Sequence, residues 1–146
     1  MDLSYNLYIR INGSELTLSE LSSKAFHPEN WIPAPLTLQP TELNTWKLTH
    51  WGCSTITNES FTQNDDGSIT IECIAYEGIP VAFFSYLCSR FSESILKYRF
   101  YTLHGSIAGY GQGSEQPIFL DVTNMNLVEQ SVHISDWSSI NSMFYL

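Results

Sequence analysis

The sequence predicts an α+β fold, an antiparallel sheet with two helices packed on one of its faces. Three observations carry that expectation. Segments alternating apolar and polar residues mark strands, two apolar stripes at helical spacing mark helices, and Asn64-Asp-Asp-Gly67 joins two of the strands as a tight turn. The 146 residues fit one domain with a sizeable core, and the hydrophobic fraction of 43% with only 14% charged residues excludes a disordered chain.

Ser4–Asn12 reads as the first strand. Tyr5, Leu7, Ile9 and Ile11 point one way, and Asn6, Tyr8, Arg10 and Asn12 the other. Gly13-Ser14 ends it, and Ser14 caps a helix running through Phe26. Leu18, Leu21 and Ala25 lie on its apolar face, with Leu16 and Phe26 at the edges.

His27–Pro40 holds four of the six prolines, so no regular element runs through it. Trp31 and Ile32 predict an ordered loop, because leaving them exposed is costly. Thr41–His50 follows as a short helix with Leu43, Trp46 and Leu48 as packing residues.

Cys53–Gln63 and Ser68–Tyr76 are two strands around the Asn64–Gly67 turn, where Gly and Asn/Asp accept positive φ. In the second, Ile69, Ile71, Cys73 and Ala75 share a face. Gly78–Phe91 is a helix with Pro80 in its first turn and Val81, Phe84, Leu87, Cys88 and Phe91 as its stripe. Ile95–Leu103 is a strand with Leu96, Tyr98 and Phe100 opposite Ile95, Lys97, Arg99 and Tyr101. A glycine-rich stretch from His104 to Gly113 leads to strand candidates at Pro117–Val122 and Val128–Ile134. The order is the split β-α-β pattern of a ferredoxin-like sandwich, with a core over about residues 3–112 and an extension over 113–146.

Those residues also resemble a family. A Tyr-Asn-x-Leu-x-Ile strand, then Trp31-Ile-Pro-Ala-Pro35, Trp46-x4-Trp51-Gly52, a hairpin, a Pro-led helix ending at Phe91, and an aromatic strand closing on Gly105 and Ala108-Gly109-Tyr110 are similar to the YubB ferredoxin-like domain family. Its members are small proteins of plasmids, phages and enterobacterial genomic islands. The resemblance spans roughly residues 3–112, most closely 31–110. The family's Trp-Gly-Thr-Lys-Trp is Trp51-Gly-Cys-Ser-Thr55 here, and its Thr-Ala-Trp-x-Pro-Pro is Ile74-Ala-Tyr-Glu-Gly-Ile-Pro80. The resemblance implies a fold and a mobile-element setting, not an activity. Trp31, Pro33, Pro35, Trp46, Trp51, Gly52, Gly105 and Gly109 are read as its structural residues.

For function, charge is the first constraint. Fifteen acidic against six basic residues give −9, which opposes nonspecific nucleic-acid binding and suits solubility or a basic-surfaced protein partner. Three cysteines without Cys-x-x-Cys spacing argue against a disulfide scaffold or zinc ribbon and suit free thiols in the cytoplasm. No apolar run is long enough to span a membrane, and no cofactor is expected.

The candidate sites are three. His50 and Cys53, with His104, have the composition of a thiolate and its base, but no oxyanion hole is apparent. His50, Cys53, His104 and His133 lack chelating spacing. The face of the sheet away from the helices carries Tyr8, Arg10, Glu72, Tyr76, Lys97, Arg99 and Tyr101. Such a layout stacks nucleic-acid bases in RNA-recognition sheets, or forms a ladder in which Arg10, Lys97 and Arg99 satisfy Glu72. The Gly105–Gly113 stretch matches no phosphate-binding loop and reads as a turn or as close backbone packing. The expectation is a non-catalytic protein that binds a host or phage protein, such as an inhibitor of a CRISPR-type defence complex. RNA or single-stranded DNA binding, and a cysteine-dependent enzyme, are the alternatives. Strand edges also admit a homodimer.

Overall fold

The computed structural model describes residues 3–102 and 108–120. Among these it is an α+β protein with three α-helices and a six-stranded antiparallel sheet. The elements are β1 (Ser4–Asn12), α1 (Glu15–Lys24), a 3-10 turn (Pro28–Asn30), α2 (Pro40–His50), β2 (Thr55–Gln63), β3 (Ile69–Tyr76), α3 (Val81–Arg90), β4 (Ile95–Thr102), β5 (Ala108–Gln112) and β6 (Ile118–Leu120). The strand order is β2-β3-β1-β4-β5-β6, so β1 sits between β3 and β4. The strand candidate at Val128–Ile134, and Leu103 to Ile107 with His104 and Gly105, lie outside the described residues.

Alternation in β1 decides which face is buried. Leu7 stands between Cys73 and Phe100, and Ile9 between Ile71 and Tyr98. All six side chains are nearly inaccessible and join one core with Leu21 of α1 and Phe83, Phe84 and Leu87 of α3. Each such side chain contributes roughly 1.5–3 kcal/mol on burial.

α1 is shorter than the apolar spacing suggests. Ser14 caps it by accepting from the Thr17 N–H at 3.2 Å. It ends at Lys24, because Ala25 turns left-handed (φ 64°) while its N–H still donates to the Leu21 carbonyl at 2.9 Å. The turn frees Phe26 to enter the core, fully buried, 4.9 Å from the Phe83 ring. Leu16, expected at the helix edge, is 83% exposed; Thr17 takes the buried place instead.

α2 begins at Pro40, whose missing N–H costs nothing in a first turn. It buries no residue completely, and Leu48, expected to pack, is exposed. α3 starts at Val81 rather than Gly78 and hides Phe83 as well as the predicted Phe84 and Leu87. β2 starts at Thr55, two residues later than expected. The Asn64–Gly67 turn forms as read, with Gly67 at φ +86° and its N–H donating to the Asn64 carbonyl at 3.0 Å.

Within the glycine-rich stretch, Ala108–Gln112 forms β5. A side chain at Gly109 would sit 2.1 Å from the Ile118 carbonyl, and one at Gly111 would strike the Tyr98 hydroxyl at 2.3 Å. These glycines therefore serve close backbone approach, as expected.

One edge of the sheet is blunted. Between Thr57 and Ser60 the register of β2 shifts. There Glu59 turns inward, accepts from the Phe26 N–H at 3.1 Å and pairs with His27. A bulge and an inward charge both discourage a further strand from adding at this edge.

Candidate binding surface

The open-face residues are brought together by register. Tyr8 stands opposite Glu72 on β3 and Arg99 on β4, and Arg99 stands opposite Tyr110 on β5. Arg10 is flanked by Thr70 and Lys97, and Asn6 by Ile74 and Tyr101. Tyr76 lies at the β1 end of the row, opposite Ser4 and Thr55.

The face is not the row of surface cations that alternation suggests. Arg99 is only 1% exposed. Its guanidinium lies 4.3 Å from the centre of the Tyr8 ring, a cation–π geometry. Burial pulls the Arg99 pKa down to about 10, with Tyr8 and Glu72 opposing the drop. Burial likewise pushes Tyr8 up to about 12, reinforced by its hydrogen bond to Glu72 and that carboxylate's charge. Glu72, Tyr8 and Arg99 thus form a polar row that runs from an exposed carboxylate to a buried guanidinium. Arg10 departs from the expected ladder. It turns to the hairpin, where Nε donates to Ser68 Oγ at 3.2 Å and Nη2 pairs with Asp66. Hydrogen bonds from Ser68, side chain and backbone, hold Asp66 below the usual carboxylate range, with Arg10 adding to the effect. Lys97, Tyr76 and Tyr101 are half-buried, and Glu72 is exposed.

The cysteine alternative meets burial. Cys53 is inaccessible and its thiol is pushed up to about 12, chiefly by burial and then by the Glu29 charge, with Lys47 opposing. Burial also raises Cys73 and Cys88. A thiolate is the reactive form, so Cys53 is held in its unreactive form. His50 is exposed and stacks on Trp46 at 4.3 Å, with Nδ1 2.9 Å from the Trp46 carbonyl. His104 and His133 lie outside the described residues. Among the described residues no three His, Cys, Asp or Glu side chains gather as a metal site.

These shifts set an expectation for alkaline pH. Folded Cys53 and Tyr98 hold their protons to about pH 12, against ordinary values of 9 and 10. The folded state then binds more protons than the unfolded one above pH 9, so its stability is complete below pH 9 and falls as pH rises towards 12. The slope is roughly 1.4 kcal/mol per pH unit for each group in its window. Urea midpoints measured from pH 7 to 11 check this, and native Cys53 should resist a thiol reagent that labels it in urea.

The tryptophans anchor the long loop. Trp31 Nε1 donates to the Ala25 carbonyl at 3.0 Å and Trp51 Nε1 to the Ile32 carbonyl at 2.8 Å. Trp46 is half-buried and meets Trp51 edge-on at 5.7 Å. Pro33 and Pro35 are exposed between these anchors. Gly52 follows at φ +89°, under the start of α3. The inward Glu59–His27 pair was not legible, since nothing in the Thr-rich β2 sequence marks its bulge.

Comparison with known proteins finds no matching family model, no similar curated protein and no similar solved structure. No helix among the described residues is long and apolar enough to cross a membrane.

Proposed function

We propose that this protein is a non-catalytic binding protein that docks on a basic-surfaced protein partner. The observation that carries the reading is the fate of the open-face cations. Arg10 is tied to Asp66 and Arg99 is buried against Tyr8, while the chain as a whole bears −9. A face that binds nucleic acid needs cations available to phosphate, and two of its three are engaged internally. Complementary charge would steer an acidic protein to a basic partner and favour fast, specific association.

The proposal extends to fold and setting. The strand order β2-β3-β1-β4, with α1 and α3 joined to one core, supports a ferredoxin-like sandwich extended by β5 and β6. The motif resemblance supports membership in the YubB family and a cytoplasmic, mobile-element setting. In that setting the partner would be a nucleic-acid-binding complex of host defence, whose basic channel an acidic inhibitor could occupy.

The test is an anisotropy titration with labelled single-stranded RNA and DNA at low salt, where electrostatic binding is strongest. The reading predicts no saturable binding. Tight binding that Lys97→Ala and Tyr101→Ala abolish would assign the open sheet face to nucleic acid instead.

A further inference from the structure

The loop between the 3-10 turn and α2 is built from restricted backbone and carries no charge. Residues 30–41 hold no charged side chain, while Glu29 and Glu42 flank them in sequence. Each proline fixes φ at about −65°, and the residue before a proline is confined to extended or polyproline II backbone. Ile32, Pro33, Ala34 and Pro35 are therefore all held towards polyproline II. The loop is pinned at its base, where the Ile32 carbonyl accepts from Trp51 Nε1 at 2.8 Å and the Ile32 N–H donates to the Pro28 carbonyl at 2.7 Å. Further on, the Leu38 N–H donates to the Pro35 carbonyl at 3.4 Å, closing a turn with Leu36 and Thr37 at its tip.

A lone exposed leucine is ordinary on a protein surface. Leu36 differs because it is 102% exposed on a loop held at both its base and its turn. Pro33 and Pro35 stand exposed beside it. The Pro33 and Ala34 carbonyls accept no hydrogen bond among the described residues. The ridge thus offers apolar rings, carbonyl acceptors and, at its prolines, no N–H. Its complement is a groove lined by aromatic rings, with a Tyr O–H or Trp N–H turned to the carbonyls. Polyproline II segments are recognised in that way, and a pre-set backbone loses less entropy on docking. Glu29 and Glu42 are both exposed. An uncharged centre between exposed carboxylates matches a protein interface, whose core is depleted of charge and whose rim is polar.

We infer that the Pro33–Leu36 ridge docks into an aromatic-lined groove of the protein partner, with Leu36 seated in an apolar pocket at the groove's end. The inference rests on the proposed docking function and names the part of this chain that enters the partner.

The experiment places a photoreactive benzophenone side chain at position 36 of the full chain and, as a control, at position 16, where Leu16 is also exposed. Each protein is irradiated in nuclease-treated bacterial lysate, and the cross-linked residue on the partner is mapped by mass spectrometry. The expected result is one dominant adduct from position 36, in a groove of the partner lined by Tyr or Trp. Unlabelled chain should compete it away. Leu36→Ala should leave the melting temperature unchanged, because the position is fully exposed. It should compete about tenfold less well, the scale of losing an interface anchor. Pro33→Ala with Pro35→Ala, once shown to stay folded by its melting curve, should compete as poorly. An adduct on a surface without aromatic side chains, equal yield from position 16, or full competition by these variants would overturn the ridge. A partner captured by the tagged wild-type chain, with no adduct from position 36, would overturn the ridge and leave the docking reading standing. No captured protein at all would overturn both.

Discussion

Gly78→Ala is expected to destabilise the protein by more than about 4 kcal/mol, on the scale of the most damaging single substitutions. A β-carbon at Gly78 would lie 2.2 Å from the Gly52 carbonyl oxygen. The clash is between backbones, so no side chain can swing away. Gly52 itself is left-handed at +89°, and its own β-carbon would meet the Ile79 carbonyl at 2.7 Å and the Val81 nitrogen at 2.9 Å. The same crossing holds the start of α3, where the Phe83 N–H donates to the Trp51 carbonyl at 3.1 Å. Prising it apart would lift α3, and with it Phe83 and Phe84, from the core. Gly67→Ala is the control. Its φ of +86° is as positive as that of Gly52, but it stands in open space, so it should cost only about 1–2 kcal/mol of backbone strain. Urea denaturation of the two variants measures the difference.

Arg99→Ala should cost about 2–4 kcal/mol of stability, because it empties a fully buried position and removes the cation packed on Tyr8. Tyr8 would lose the cation over its ring, and Glu72 would lose the favourable charge of Arg99. At a chain of this size the loss lowers the melting temperature by roughly 10 °C. Lys97→Ala, on a half-buried and more accessible neighbour, should change it by no more than about 0.5 kcal/mol. Were Arg99 a surface contact for phosphate, the pattern would differ: its removal would leave the melting temperature alone and abolish oligonucleotide binding. Calorimetry on both variants distinguishes the two roles.

Much of the architecture was legible because it depends on local periodicity. The two-residue alternation in Ser4–Asn12 and Ile69–Tyr76 fixes which side chains face inward, and burial follows it closely. The Asn64–Gly67 turn was readable because positive φ has few tolerant residues. Element ends were less legible. Ala25 adopts a left-handed conformation that nothing in its own side chain favours, so the helix stops short of Phe26. The site was harder still. Alternation places Arg99 on the open face correctly but says nothing about whether that face is covered there, and its burial changes a presumed ligand contact into a structural one. The Arg10–Asp66 pair joins residues 56 positions apart in sequence, a proximity that only the fold creates.

The claim that this chain is an acidic docking protein is tested most directly by nuclease-treated affinity capture from a bacterial lysate, with identification of retained proteins by mass spectrometry. The account predicts a stoichiometric protein partner with a basic, nucleic-acid-binding surface, retained after nuclease treatment and released by raised salt or by excess oligonucleotide. A tight partner with no basic surface, or nucleic acid recovered in place of protein, would contradict it.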